Sequence, residues 1–228
     1  MNLAGAQVVV PVGGRSLHGD LGVPGNHKGL VLFAHGSGSS RHSPRNQFVA
    51  RMLERRSLAT LLIDLLTPEE EAADEQTAAF RFDIPMLAGR LVTIVDWLRQ
   101  RPETSSLPLG LFGASTGAGA ALIAAAKRPQ AILAVVSRGG RPDLAGAALP
   151  RVVAPTLLIV GSCDKPVIAK NHDAMKRIRG PVALEIVPGA SHLFEEPGTL
   201  ECVAELAGDW FVQHLCPIST VTHAKDSP

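Results

Sequence analysis

Three polar residues in this sequence are of the types that together turn a serine into a nucleophile: Ser115, Asp164 and His192. A serine hydroxyl is weakly nucleophilic at neutral pH. It needs a base within hydrogen-bond reach, and that base needs a carboxylate to fix its tautomer and stabilise its charge. Ser115 sits in Leu109–Ala126, LGLFGASTGAGAALIAAA, where an apolar run ends in small residues and resumes as an alanine-rich helix. Gly113, Ser115 and Gly117 fit the pattern G-x-S-x-G, a strand-to-helix turn that strains the serine and demands small residues two places to either side. A Gly/Ala/Ser run ahead of an Ala-rich helix also serves ordinary tight packing, so the stretch does not decide the matter alone.

Asp164, in GSCD, follows the apolar run Pro155–Val160, and His192, in PGASHLF, follows Val182–Val187. All three residues therefore come just after predicted buried strands, and strand ends on one edge of a parallel sheet converge in space. Each has rivals. Asp164 suits a helix cap, and Asp143 and Asp173 compete with it as the acid; its place directly after a buried strand favours it. His35, His172 and His214 compete with His192. His214 falls in the closing helix, His172 lies in or beside a helix without an acidic partner at metal-ligand spacing, and His35 belongs to a loop after an earlier strand.

Acyl chemistry also needs donors for the oxyanion of a tetrahedral intermediate, usually backbone N–H groups. Thr116, directly after the serine, supplies one at a helix N-terminus; Ser37 in the loop His35–Arg41 is expected to supply the second, with Gly38 as the alternative. Arg41 and Arg138, the latter beside Gly139-Gly140, are expected to flank the mouth. They are read as possible contacts for a substrate carboxylate, against the plainer reading of solvated or loop-holding arginines.

The elements that must position these residues alternate along the chain. Gln7–Val12 and Leu17–Val23 read as an antiparallel hairpin about Gly13-Gly14. Gly29–Ala34 is an unbroken apolar run, as expected of a strand covered on both faces. Ser43-Pro44 opens a helix to about Arg56, with Ser43 as N-cap. Leu58–Leu66 is the next buried run, its strand ending around Asp64. The acidic stretch Thr67–Asp83 reads as a solvated loop or short helix on the rim rather than a metal site, with Arg81 and Asp83 at its far end as weak candidates to face the site.

Ile84–Gln100 has helical spacing, Leu107–Phe112 is the strand feeding Ser115, and Thr116–Lys127 is the helix after it. Ala131–Val136 is a strand, followed by a Gly-, Arg- and Pro-rich connection, 137–154, with one helical turn at 143–148. That connection is too short for an inserted lid or cap domain, which predicts an open site. Pro155–Val160, a helix Val167–Ile178, the strand Val182–Val187 and a closing helix Thr199–Leu215 complete the pattern. Alternating strands and helices imply a mostly parallel sheet wrapped on both faces. Residues 1–215 are read as one α/β domain and 216–228 as a flexible tail.

The 228 residues are 46% hydrophobic, enough for one sizeable core. A net charge of +1 without a basic cluster offers no electrostatic footprint for nucleic acid or an anionic membrane. No apolar run approaches a membrane span, and the first residues lack a signal-type pattern. Cys163, Cys202 and Cys216 are odd in number and lack metal-ligand spacing, so they read as thiols in a reducing compartment, with the cytoplasm as the expected location.

The segments HGSGSSR, FGASTGAG, GSCD and GASHLFEEPG, in this order and over nearly the whole chain, resemble an α/β-hydrolase of the dienelactone-hydrolase-like group. The order serine, aspartate, histidine is the one that fold uses. The resemblance implies a loop-supporting role for His35. True dienelactone hydrolases carry cysteine in the elbow, whereas this chain has Ser115, so the resemblance is taken as one of fold. The expected activity is hydrolysis of carboxylic esters, thioesters or lactones through Ser115, His192 and Asp164, without cofactor or metal. The expected partner is a small-molecule ester, not nucleic acid or membrane, and the expected state is a monomer or homodimer. An inactive scaffold retaining the fold, and an acyltransferase or perhydrolase using the same triad, are the alternatives.

Overall fold

The computed structural model describes residues 5–216; the stretch 217–228, read above as tail, lies outside the described residues. Among the described residues eight strands form one sheet in the order β1-β2-β4-β3-β5-β6-β7-β8. β1 (Ala6–Val12) and β2 (Arg15–Gly22) form the antiparallel hairpin, and β2 continues antiparallel onto β4 (Leu58–Ile63). From β4 onward every pairing is parallel, through β3 (Gly29–Ala34), β5 (Leu109–Ala114), β6 (Ile132–Arg138), β7 (Thr156–Gly161) and β8 (Val182–Val187).

The central strands β3, β4, β5 and β7 are buried at every residue, the structural counterpart of their unbroken apolar runs. Two apolar layers cover them. On one face, α3 (Ile84–Gln100) and α4 (Thr116–Lys127) bring Leu87, Leu91, Ile94 and Leu122 against Leu32 and Leu111. On the other, α1 (Pro44–Arg55) and α6 (Thr199–Leu215) bring Val49, Leu53 and Phe211 against Phe33 and Phe112. Each such leucine or phenylalanine contributes about 1.5–3 kcal/mol of burial, and together they fix the sheet whose C-terminal edge carries the site.

Two expectations about connections change. The acidic stretch holds a ten-residue helix, α2 (Pro68–Thr77), started by a capping box between Thr67 and Glu70. Its acids are only partly solvated: Glu70 and Asp74 are buried, the first forked onto Arg90 at 2.6 Å and the second on Arg81. Residues Pro142–Arg151 form two short 3-10 turns broken at Gly146, longer than the single turn expected. Among the described residues no cap domain interrupts β6 and β7. α5 (Lys165–Met175) follows β7. The strand expected to end around Asp64 ends at Ile63, and the strand feeding Ser115 runs two residues later than expected, to Ala114.

Candidate active site

Ser115 stands between β5 and α4 with φ 49° and ψ −121°, a region that side chains rarely occupy. The neighbours explain how the chain holds it there. A Cβ on Gly113 would meet Ala118 Cα at 2.5 Å, and one on Gly117 would run into the carbonyls of Ala34 and His35. Only glycine at both positions lets helix, strand and preceding loop close on the turn. The Ser115 N–H donates to the Arg138 carbonyl at 3.2 Å, and the Ser115 carbonyl accepts from Arg141 N–H at 3.0 Å, so the turn is fastened from β6.

His192 links the other two residues. Its Nδ1 lies 2.6 Å from Asp164 Oδ2 and its Nε2 lies 3.3 Å from Ser115 Oγ. A carboxylate at Nδ1 places the proton there and leaves Nε2 to accept from the serine. The 3.3 Å separation is of the kind that tightens when substrate is engaged. Asp164 occupies the N-cap position of α5 but makes no capping bond, so its carboxylate is committed to His192. Gly161, at the end of β7, has no side chain to hold off the Ala190 and Ser191 carbonyls, and the histidine loop packs directly on it. Cys163 N–H donates to Ala190 O at 3.0 Å and ties the aspartate and histidine loops together.

The loop after β3 lies across the elbow. A Cβ on Gly36 would meet Ser115 Cβ at 3.0 Å. His35 Nε2 accepts from Leu65 N–H at 2.9 Å, so the proton sits on Nδ1, 3.0 Å from the Gly36 carbonyl. Burial lowers the pKa of this imidazole and keeps it neutral. Thr116 N–H, first in α4, finds no carbonyl partner among the described residues. Ser37 N–H is engaged: it donates to Thr116 Oγ1 at 2.9 Å. Gly38 lines a cavity of about 160 Å³ between this loop and α2, shared with Ser37, Asp64, Leu66, Asp74 and Arg81.

The structure holds one arginine by ion pairs and buries the other. Arg41 does not stand free at a mouth: its guanidinium pairs with Asp64 and lies 3.4 Å from Asp20, and its N–H donates to Asp64 Oδ1 at 2.7 Å. Arg138 is buried at 7% exposure, with Nη2 3.4 Å from Asn46 Oδ1. Burial first, and Arg45 second, pull its pKa down to about 10. Its side chain is buried rather than exposed at an open rim. Arg81 does reach the cavity, paired to Asp74, while Asp83 caps α3 by accepting from Met86 N–H at 3.0 Å. Asp64, one residue past β4, stands at a strand end like Asp164, and the sequence marks it only as that end.

Comparison with known proteins agrees with this architecture. The chain is 59% identical to a dienelactone hydrolase from Anabaena variabilis, with a TM-score of 0.91 over 92% of this chain and 98% of that one. Est1E from Butyrivibrio proteoclasticus superposes with a TM-score of 0.76 at 16% identity over 92% of this chain and 98% of that one, a likeness of fold. Proteins of two Mycobacterium tuberculosis strains, named provisionally as phosphoribosyl transferases, are 58% identical over 210 residues. That alignment takes in 92% of this chain but 46% of theirs, so the chain spans about half the length of these relatives. The model of the dienelactone hydrolase family matches residues 47–212, across the elbow, the aspartate loop and the histidine loop. The chain belongs to the dienelactone hydrolase family.

Proposed function

We propose that the protein is a serine hydrolase of carboxylic esters, thioesters or lactones. Ser115 attacks the acyl carbon, His192 takes the hydroxyl proton and returns it to the leaving group, and Asp164 holds the imidazole in register. Water then releases the acid from the acyl-enzyme by the same steps. The observation that carries the reading is His192 bridging Asp164 and a serine held at positive φ. The oxyanion forms at the Thr116 N–H, which has no carbonyl partner among the described residues, beside the loop that carries Ser37.

The ester reading concerns the half of the mycobacterial relatives that this chain matches; the phosphoribosyl transfer in their name is said of proteins about twice as long. The test is hydrolysis of p-nitrophenyl esters from acetate to octanoate by the wild type and Ser115→Ala. Wild-type turnover that drops to background in the variant supports the reading, and the chain-length profile sizes the acyl pocket. Equal turnover by both proteins contradicts it.

A further inference from the structure

Thr116 is 5% exposed and its hydroxyl accepts the Ser37 N–H at 2.9 Å. A hydroxyl carries one proton of its own to donate. Among the described residues no acceptor receives the one on Thr116. The residue is the first of α4, directly after the nucleophile, and its own N–H is equally open. Both free donors of Thr116 therefore belong to the residue that adjoins the forming oxyanion. The Ser37 N–H, which backbone reasoning assigns to the oxyanion directly, is turned onto the threonine oxygen instead.

We infer that the Thr116 hydroxyl is a catalytic oxyanion donor, polarised from behind by the Ser37 N–H. The inference rests on the ester-hydrolase reading. As Ser115 Oγ bonds to the acyl carbon, its proton passes to His192 Nε2 and the carbonyl electron pair moves onto oxygen. That oxygen accepts from Thr116 N–H and Thr116 O–H. When the pair returns, the bond to the leaving oxygen breaks and that oxygen takes the proton from His192. A hydrogen bond accepted by a hydroxyl strengthens the one it donates. The loop after β3 thus acts through the threonine, and the bond joins residues 79 positions apart.

The test compares wild type, Thr116→Val, Thr116→Ser and Ser115→Ala on p-nitrophenyl acetate, together with inhibition by phenylboronic acid, whose bound form carries an oxygen in the oxyanion position. Thr116→Val is expected to lower kcat about a hundredfold, to leave KM within about threefold and to weaken boronate inhibition by a similar hundredfold. Thr116→Ser, which keeps the hydroxyl, restores kcat to within about tenfold. A threonine that only props the loop would instead shift KM and melting temperature and leave the ratio of boronate to substrate affinity unchanged, which overturns the inference. So does Thr116→Val with kcat at or above wild type, the behaviour of a hydroxyl that merely occupies the Ser37 N–H. If Ser115→Ala turns over as fast as wild type, the ester-hydrolase reading itself fails. If Ser115→Ala is dead and Thr116→Val is fully active, only the hydroxyl donor falls.

Discussion

Among the described residues two serines and two aspartates stand at the N-cap positions of helices, and the members of each pair behave differently. Ser43 opens α1 with φ −53° and its hydroxyl accepts from Asn46 N–H; Asp83 opens α3 and accepts from Met86 N–H. Ser115 opens α4 and Asp164 opens α5, and neither makes a capping bond. A cap is worth about 1 kcal/mol. At the site the chain forgoes that stabilisation twice and adds the backbone strain of Ser115, itself of order 1–3 kcal/mol. The freed side chains are the ones that meet His192. Local structure at 43 and 83 follows helix-start chemistry; at 115 and 164 the side chains turn to His192 instead.

Substitutions sharpen the contrast. Ser115→Gly should abolish ester turnover, a loss of at least about a thousandfold, and yet raise stability by about 0.5–1 kcal/mol, because glycine accepts a positive φ without strain. Denaturant melts beside ester assays check both halves. Asp164→Asn should lower kcat by about ten-thousandfold, as expected when the base loses the carboxylate that sets its tautomer. Because no cap is lost, its melting midpoint should move less than that of Asp83→Ala. Asp83→Ala and Ser43→Ala are each expected to cost about 1 kcal/mol in stability, with turnover kept. Loss of turnover in either would erase the distinction between the two kinds of cap.

The smallest effect concerns His35, which the structure holds neutral by burial. Its folded pKa lies below the ordinary imidazole value of 6.5, so as pH falls below that value the unfolded chain binds the proton first. The stability contributed by neutral His35 is complete above that value and is lost as pH falls through the folded one. Protonation would also place an N–H where Leu65 N–H now donates. His35→Gln should therefore show a shallower fall of melting temperature between about pH 7 and pH 5 than wild type. An equal slope in both proteins would mean that other groups carry the acid dependence.

The parts of this molecule that were legible in the sequence share a cause. Unbroken apolar runs marked β3, β5 and β7 because strands covered on both faces leave no room for polar alternation. The glycines beside Ser115 were legible because the elbow tolerates nothing larger. Asp164 and His192 were found as polar residues placed directly after such strands. What escaped depends on partners distant in sequence. Glu70 and Asp74 look like any solvated acids until Arg90 and Arg81 fold onto them. Arg138 ends a strand whose neighbours are buried, but only the position of α1 shows that Asn46 covers its guanidinium. The Ser37–Thr116 contact likewise follows from the loop settling on α4, which no local pattern encodes.

The central claim is that the uncapped, strained Ser115 is the nucleophile, and labelling with a fluorophosphonate followed by peptide mass spectrometry tests it most directly. The account predicts a single adduct on the peptide holding Ser115, formed far more slowly in His192→Ala. An unlabelled protein, or an adduct at another residue such as the exposed Cys163, would contradict it.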